Sequence, residues 1–320
     1  MRFQGRWKMR EVADITGLPE HIFNSNELEF YGEANYLKGG IVYADEITTV
    51  SPSYADEITT PEGGEGLDGL MLERRKHLSG ILNGIDYSVY NPAKDKYISC
   101  NFMSPDKDTN KPYGKEVDKR EFQEKNGLKA DKNAMLIGIV SRLTDQKGFD
   151  LIAYVMDEIL ETTDIQFCIL GTGENQYEGM FHYFQSKYPD RLSVYIGYSE
   201  ERAHQIYASC DAFLMPSLFE PCGLGQMMAM RYGTIPIVRE TGGLKDTVEA
   251  YNEYENTGTG FSFTDYNAHD MLHVIKYAES VFKNNKKAWN EMMVRDMNKD
   301  FSWDASARRY EALYDRLTEK

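Results

Sequence analysis

The sequence predicts an α/β protein whose main part is a doubly wound parallel sheet. Six apolar runs of strand length lie between residues 135 and 263, and stretches with a helical pattern separate most of them. Runs rich in Val, Ile, Leu and Phe are typical of strands that are buried on both faces. Strands that alternate with helices form a parallel sheet with helices on both sides. Ligands of such sheets bind beyond the carboxyl ends of the strands, so the loops after the strands are the candidate sites.

The apolar runs and helical stretches give the order of elements in this domain. Predicted strands cover residues 135–140, 165–170, 192–196, 212–215, 235–238 and 260–263. Predicted helices cover residues 151–162, 175–186 and 200–208, one more begins at the end of residues 217–226, and another begins near residue 244.

The flanking segments are more irregular. Residues 36–43 are predicted as a helix that leads into a strand, and residues 47–51 as a short strand. The polar stretch 90–133 is typical of a linker or a peripheral insertion, with a helix near 115–126. Residues 301–314 have the pattern of a capped amphipathic helix.

Composition narrows the classes of protein. A chain of 320 residues is long enough for two domains or one large one, and its net charge of −15 disfavours nucleic-acid and anionic-membrane partners. The four cysteines form no C-x-x-C pair and the six histidines have no metal-ligand spacing. We therefore expect reduced thiols and no metal cofactor. Residues 1–7 lack the apolar stretch of a signal peptide, and no apolar run reaches membrane-spanning length. The expected location is the cytoplasm.

The segment from Ser217 to Gln226, with the sequence SLFEPCGLGQ, is the most informative stretch. A predicted strand ends before it, two glycines expose the backbone, and a helix begins. The free N–H groups and the positive dipole end of a helix N-terminus favour a phosphate. The carboxylate of Glu220 would repel that phosphate, so it must serve another part of the ligand, for which sugar hydroxyls are the natural partner. The segment therefore predicts a nucleotide-sugar site.

Two cations follow the first strand of the domain. Arg142 and Lys147 both lie in the loop 141–148, with the sequence SRLTDQKG. Such a pair can clamp a diphosphate, with Arg as a fork and Lys as a point charge, and can neutralise a diphosphate leaving group. Either residue alone would more simply be a solvated loop cation. The two together, on the same sheet edge as Glu220, favour a functional role.

Three further positions at strand ends carry weaker signals. The glycines of Gly171-Thr-Gly173 need do no more than allow a tight turn. Tyr198 could stack on a nucleobase or be an ordinary surface tyrosine. The backbone after Thr241, in Thr241-Gly-Gly243, could approach a phosphate or simply begin a helix.

Taken together, these motifs resemble the bacterial and plastid glycogen and starch synthases, which are retaining glycosyltransferases of the GT-B fold. The resemblance covers nearly the whole chain, and several of its motifs are long and specific. The shared stretches are residues 23–32 (FNSNELEFYG), 37–44 (LKGGIVYA), 49–54 (TVSPSY), 78–86 (LSGILNGID), 141–148 (SRLTDQKG), 219–224 (FEPCGL), 231–234 (RYGT) and 239–248 (RETGGLKDTV).

The resemblance implies a reaction and a set of site residues. The family transfers glucose from ADP-glucose to the 4-hydroxyl at the non-reducing end of an α-1,4-glucan, with retention and without a metal. The resemblance assigns Arg142 and Lys147 to the diphosphate and the departing ADP, and Glu220 to hydroxyls of the donor sugar. It places Tyr198 near adenine. The remaining donor-site residues that it implies are Cys222, Gly223, Leu224, Gly225 and Thr241.

Two positions depart from the pattern of related GT-B enzymes. Many of them carry a second Glu that contacts ribose, where this chain has Met228. The synthases themselves often lack that Glu, so Met228 fits the subfamily. Gly225 stands where a hydroxyl or amide side chain is common, so one hydrogen bond to the donor is expected to be missing.

A larger departure concerns the N-terminal half of the family. A GT-B enzyme has two Rossmann-like domains, and the first opens with a Lys-x-Gly-Gly loop that contacts the donor. Lys38-Gly-Gly40 belongs to a different family segment. We therefore expect residues 1–88 to be a remnant of the N-terminal, acceptor-side domain, residues 89–300 a complete nucleotide-sugar domain, and residues 301–320 a helix that returns to the first domain. We also expect little or no turnover by this chain alone.

The sequence leaves other functions open. The chain could be a non-catalytic nucleotide- or glucan-binding module, or one half of a split enzyme that works with a separate N-terminal half. A GT-B transferase with another acceptor, such as sucrose or a lipid sugar, is disfavoured by the motifs 24–31 and 219–224. The choice between ADP-glucose and UDP-glucose is not settled by these residues.

Overall fold

The computed structural model describes residues 1, 3–104 and 113–318. The chain divides into two compact units, Met1–Leu82 and Asn83–Lys320. The three-part domain assignment made from the sequence stays a prediction. The predicted calls on residues 105–112 and on the last two residues of 301–320 lie outside the described residues.

The first unit contains two small sheets and short helices. Strands β1, β3 and β2 form an antiparallel sheet in that order, and β4 pairs with β5 in parallel. In chain order its elements are β1 (Arg6–Trp7), α1 (Met9–Thr16), β2 (Glu29–Phe30), β3 (Glu33–Asn35), α2 (Tyr36–Tyr43), β4 (Ile47–Thr49), α3 (Pro52–Glu57), α4 (Pro61–Gly64), α5 (Asp68–Glu73) and β5 (Leu78–Gly80).

One prediction for this unit was wrong in part. Residues 36–43 are helical throughout, as α2, and do not lead into a strand before β4. The Asn35 side chain caps the helix by accepting a hydrogen bond from the backbone N–H of Lys38. A Cβ on Gly39 would lie 3.1 Å from Leu28 Cδ1, so the glycine that weakens the helical pattern permits close packing.

The second unit contains the predicted doubly wound sheet. Its elements are α6 (Tyr113–Lys125), β6 (Leu136–Val140), α7 (Phe149–Thr162), β7 (Gln166–Gly171), α8 (Asn175–Lys187), β8 (Leu192–Ile196), α9 (Glu200–Ser209), β9 (Ala212–Met215), α10 (Gly225–Arg231), β10 (Ile235–Arg239), α11 (Gly242–Thr247), β11 (Phe261–Phe263), α12 (Ala268–Asn284), α13 (Lys286–Asn298) and α14 (Trp303–Thr318). All six strands are parallel, in the order β11-β10-β9-β6-β7-β8. The α/β fold class is confirmed.

Two hydrophobic cores lie on the two faces of this sheet. Alternate residues of a strand point to opposite faces, and in β7 Phe167 and Ile169 belong to one core, whereas Cys168 and Leu170 belong to the other. Residues of α7, α8 and α12 cover the first core, and residues of α9 and α10 cover the second. This double burial explains why the strands are apolar without alternation.

The strand order places a switch point at the centre of the sheet. Strands β6 and β9 are neighbours, with Ile137 opposite Ala212 and Gly138 opposite Phe213. The sheet continues through β7 and β8 on one side of this pair, and through β10 and β11 on the other. The loops that leave β6 and β9 therefore lie at the part of the carboxyl edge where ligands of such sheets bind.

Candidate active site

The loops after β6 and β9 bring two predicted site residues into contact. Lys147 Nζ lies 2.5 Å from Glu220 Oε2, and the two side chains are 16% and 9% exposed. The buried Ser217 hydroxyl donates to the same Oε2 at 3.0 Å. A lysine, a carboxylate and a hydroxyl thus meet at the switch point of the sheet.

This cluster retains hydrogen-bonding capacity. Both contacts of the Glu220 carboxylate use Oε2, and the described residues provide none to Oε1. The ammonium of Lys147 has three donors, of which one is used by Glu220 among the described residues. The site can therefore offer two N–H donors and one carboxylate oxygen to a ligand that carries both anionic oxygens and hydroxyl groups.

The two loops are held together by their backbones. The backbone N–H of Leu218 donates to Gln146 O at 2.9 Å, and Gln146 Nε2 donates to Phe219 O at 3.0 Å. Gly148 has φ +75°, and a Cβ there would lie 2.1 Å from Pro216 O. The glycine after Lys147 therefore permits the approach that places Lys147 beside Glu220.

The turn after β10 packs against the same loop. The N–H of Gly243 donates to Glu220 O at 3.0 Å, and a Cβ on Gly242 would lie 2.1 Å from that oxygen. A Cβ on Gly243 would lie 1.9 Å from Cys222 O. Because both positions are glycines, the turn can pack directly against the backbone of the Glu220 loop. The buried Thr241 precedes them as the N-cap residue of α11. A contact of Thr241 with a ligand stays a prediction.

The backbone from Cys222 to Gly225 forms the entry to α10. Leu224 is the N-cap residue and Gly225 is the first helical residue. Gly223 has φ +69°, which favours glycine. The Cys222 thiol is buried, and burial raises its pKa, so it stays a neutral thiol at neutral pH. The roles of these residues toward a donor stay predictions.

Two predicted site residues do not join the cluster. Arg142 lies in the same loop as Lys147, but its guanidinium is exposed and makes no hydrogen bond or ion pair with a described residue. Tyr198 follows β8 and is 87% exposed. Strand β8 lies three positions from β9 in the sheet, at roughly 4.8 Å per strand, so Tyr198 is well separated from Glu220.

Sequence reasoning missed two residues that shape the cluster. Ser217 is the first residue of the motif 217–226 and Gln146 lies within the motif 141–148, but neither motif predicts a role for them. Gln146 acts by a hydrogen bond to a loop 73 residues away in the chain, which no pattern in a single sequence reveals, whereas Ser217 acts by a hydrogen bond to Glu220 in its own loop. Within the described ranges, no group of three or more His, Cys, Asp or Glu residues is placed to hold a metal ion.

Comparison with known proteins gives the family. The model of the family "Glycosyl transferases group 1" matches residues 118–291, more than half of the chain, and the model "Starch synthase catalytic domain" matches residues 1–73. The chain belongs to the glycosyl transferases group 1 family.

The chain is also similar to curated proteins named glycogen synthase. It is 58% identical over 319 residues to the one from Lachnospira eligens, and 54% identical over 324 residues to the one from Lachnoclostridium phytofermentans. Each match covers 99% of this chain and 65% of the relative. The chain thus spans slightly less than two thirds of the length of these relatives.

Solved structures support the fold. The catalytic domain of starch synthase IV from Arabidopsis thaliana, bound to ADP and acarbose, matches with a TM-score of 0.90 and 34% identity, over 99% of this chain and 65% of that one. Sucrose-phosphate synthase from Thermosynechococcus elongatus matches with a TM-score of 0.58 and 19% identity, over 86% of this chain and 59% of that one, which speaks for the fold alone. Among the described residues, none of the helices has the length and apolar character needed to cross a membrane.

Proposed function

We propose that this chain supplies the donor site of a glycogen- or starch-synthase-type glucosyltransferase. The reaction moves glucose from ADP-glucose to the 4-hydroxyl at the non-reducing end of an α-1,4-glucan, with retention and without a metal cofactor. The observation that carries the proposal is the contact between Lys147 and Glu220 at the switch point of the sheet. Similarity to glycogen synthases along nearly the whole chain supports it.

Each residue of the cluster has a chemical part in this proposal. Lys147 uses its two remaining N–H donors on the diphosphate and neutralises charge as ADP leaves. Glu220 accepts hydrogen bonds from glucose hydroxyls through Oε1. Arg142, whose guanidinium is unengaged among the described residues, swings onto the diphosphate as a fork. The N–H groups from Gly223 to Gly225 lie at the start of α10 and face anionic or hydroxyl oxygens of the donor.

The nucleotide is proposed to be ADP. The solved starch synthase IV was bound to ADP, and this chain is 34% identical to it. Tyr198 is exposed enough for an adenine ring to stack on it. The acarbose in that structure is a saccharide, which favours a glucan as the acceptor here. A cytoplasmic location, where sugar nucleotides and reduced thiols occur, completes the proposal.

Transfer of labelled glucose tests the proposal directly. ADP-glucose and UDP-glucose, each labelled in the sugar, are incubated with glycogen and the chain, and the polymer is then digested with an enzyme specific for α-1,4 bonds. We expect label from ADP-glucose to enter α-1,4 bonds, at a low rate for these 320 residues alone. Incorporation only from UDP-glucose, or into other bonds, would contradict the donor or the product.

A second candidate is half of a split enzyme, or a nucleotide- or glucan-binding module that serves another chain. The contact between Lys147 and Glu220 would serve such a nucleotide-binding module as well. The part of the Lachnospira eligens relative that this chain does not match, expressed separately, is mixed with this chain. Activity that appears only on mixing identifies a split enzyme, and ADP binding without activity in the mixture identifies a binding module.

A further inference from the structure

Arg239, the last residue of β10, holds the backbone that carries Glu220. Its Nη1 donates to Leu218 O at 2.7 Å and to Ser217 O at 3.4 Å. Its Nε donates to Thr264 O at 3.1 Å, on the segment that follows β11. One guanidinium therefore ties the loop after β9 to the neighbouring strand ends.

The same guanidinium reaches the loop of Lys147 through Tyr266. The Arg239 guanidinium carbon lies 5.6 Å from the centre of the Tyr266 ring, within the range of a cation–π contact. The Tyr266 hydroxyl donates to Asp150 Oδ1 at 2.5 Å. Asp150 is in the first turn of α7, three residues after Lys147. Arg239 thus contacts the Glu220 loop directly and, through one aromatic ring, the first turn of the helix that follows Lys147.

A bound diphosphate would compete with Glu220 for the Lys147 ammonium. The contacts of Arg239 then become important, because Glu220 would need other support. The contact between the Ser217 hydroxyl and Glu220 does not involve Lys147, so it stays available to Glu220 if the Lys147 ammonium turns toward phosphate oxygens. Ser217 is in turn held by the carbonyl contact with Arg239, which does not involve Lys147. A planar fork with several donors suits two adjacent carbonyl oxygens, whereas a lysine would offer a single point charge.

We propose that Arg239, supported by Tyr266, is a positioning residue that keeps Glu220 in place for the donor sugar after Lys147 has engaged the diphosphate. The proposal rests on the proposed function, since it takes a sugar nucleotide as the ligand. It predicts that Arg239 governs recognition of the sugar half of the donor more than recognition of the ADP half.

The test compares two dissociation constants, for ADP and for ADP-glucose, by calorimetry on the 320-residue chain. The Glu220→Gln variant measures how much the ratio of the ADP-glucose constant to the ADP constant changes when the contact with the sugar is lost. We expect Arg239→Gln to move the ratio by about tenfold in the same direction, with ADP affinity within about threefold of wild type. Arg239→Lys should restore part of the shift, and Tyr266→Phe, which keeps the ring, should shift the ratio less than Arg239→Gln.

Arg191→Gln is the matched control. Arg191 also holds carbonyl oxygens, with Nε 3.0 Å from Ile165 O and Nη2 2.8 Å from Thr163 O, but it lies before β8 at the opposite edge of the sheet. We expect this variant to lose stability and keep the wild-type ratio. A wild-type ratio in Arg239→Gln, with a shifted ratio in Glu220→Gln, would overturn the positioning role. An unchanged ratio in Glu220→Gln would instead overturn the assignment of Glu220 to the sugar.

Discussion

Two lysine–carboxylate pairs lie at opposite edges of the same sheet. At the amino edge, Lys119 Nζ is 2.6 Å from Asp211 Oδ2, with the side chains 7% and 14% exposed. At the carboxyl edge, Lys147 Nζ is 2.5 Å from Glu220 Oε2, with similar burial. The two pairs are alike in residue type, in N–O distance and in burial, so none of these properties tells a structural pair from a ligand-binding one.

Their remaining hydrogen bonds do separate them. Lys119 Nζ also donates to Ala134 O at 2.6 Å and to Lys132 O at 3.3 Å, and Asp211 Oδ2 also accepts from the backbone N–H of Leu136. All three donors of this ammonium are used within the protein. Lys147 has one such contact among the described residues. A buried pair that is saturated by its own protein holds the fold, and one with unused donors at a switch point is placed to hold a ligand.

The largest expected effect concerns the close approach that brings Lys147 to Glu220. Gly148→Ala should destabilise the chain by about 4–5 kcal/mol, because its Cβ would lie 2.1 Å from Pro216 O in addition to the unfavourable positive φ. Urea unfolding measures the loss. Gly127→Ala is the control, since Gly127 has φ +73° with nothing within 4 Å of its Cβ position, and should cost only about 1 kcal/mol. Equal losses would show that the approach to Pro216 is not tight.

The saturated pair should behave as a structural element. Lys119→Ala should lower the free energy of unfolding by roughly 3–5 kcal/mol, because Asp211 is left as a buried charge without its partner. The affinity of the folded protein for ADP should stay within about twofold. Lys125→Ala, which breaks an exposed pair with Glu121 on the same helix, should cost only about 0.3–0.5 kcal/mol. A large drop in ADP affinity in Lys119→Ala would contradict the distinction between a structural pair at the amino edge of the sheet and a ligand-binding pair at its carboxyl edge.

A second lysine at the amino edge of the sheet, Lys115, should make the free energy of unfolding depend on pH. Lys115 is buried there with its ammonium on Tyr207 O, Ala208 O and Thr234 Oγ1, and burial lowers its pKa to about 8. An unfolded lysine titrates near 10.5, so the unfolded state holds more protons between these two values. Stability therefore rises with pH from about 8 to 10.5, by on the order of 3 kcal/mol from this group.

Urea unfolding at several pH values measures this dependence against Lys115→Met. The variant removes the titrating group, so the difference in unfolding free energy between wild type and variant should grow with pH in favour of wild type. The ionisable groups near Lys115, namely Cys210, Asp211, Asp118 and Lys119, are present in both proteins. A difference that is flat from pH 8 to 10 would show that Lys115 is not desolvated.

Much of the second unit could be predicted from sequence, because its strands are buried on both faces. The runs at 192–196 and 212–215 coincide with β8 and β9, and the others differ from their strands by one residue at one or both ends. Residues 36–43 were predicted as a helix that leads into a strand: the helix is present as α2, but the next strand begins only at Ile47, in β4.

The candidate site was predictable in position but not in its contacts. Motifs at the ends of β6 and β9 marked Lys147 and Glu220, yet their direct contact depends on a φ of +75° at Gly148 and on the Gln146 hydrogen bonds. The motif 239–248 included Arg239 but gave it no role, because the loop partners described above are backbone carbonyls, which any sequence would supply.

The affinity of Lys147→Ala for ADP tests the central claim, that the unsaturated pair at the carboxyl edge is a donor site. Calorimetry on wild type, Lys147→Ala and Lys119→Ala should give a dissociation constant for ADP that is about 10- to 100-fold weaker in Lys147→Ala, or roughly 1.4–2.8 kcal/mol, and unchanged in Lys119→Ala. Equal affinity for ADP in wild type and Lys147→Ala would contradict the assignment of this edge to the diphosphate.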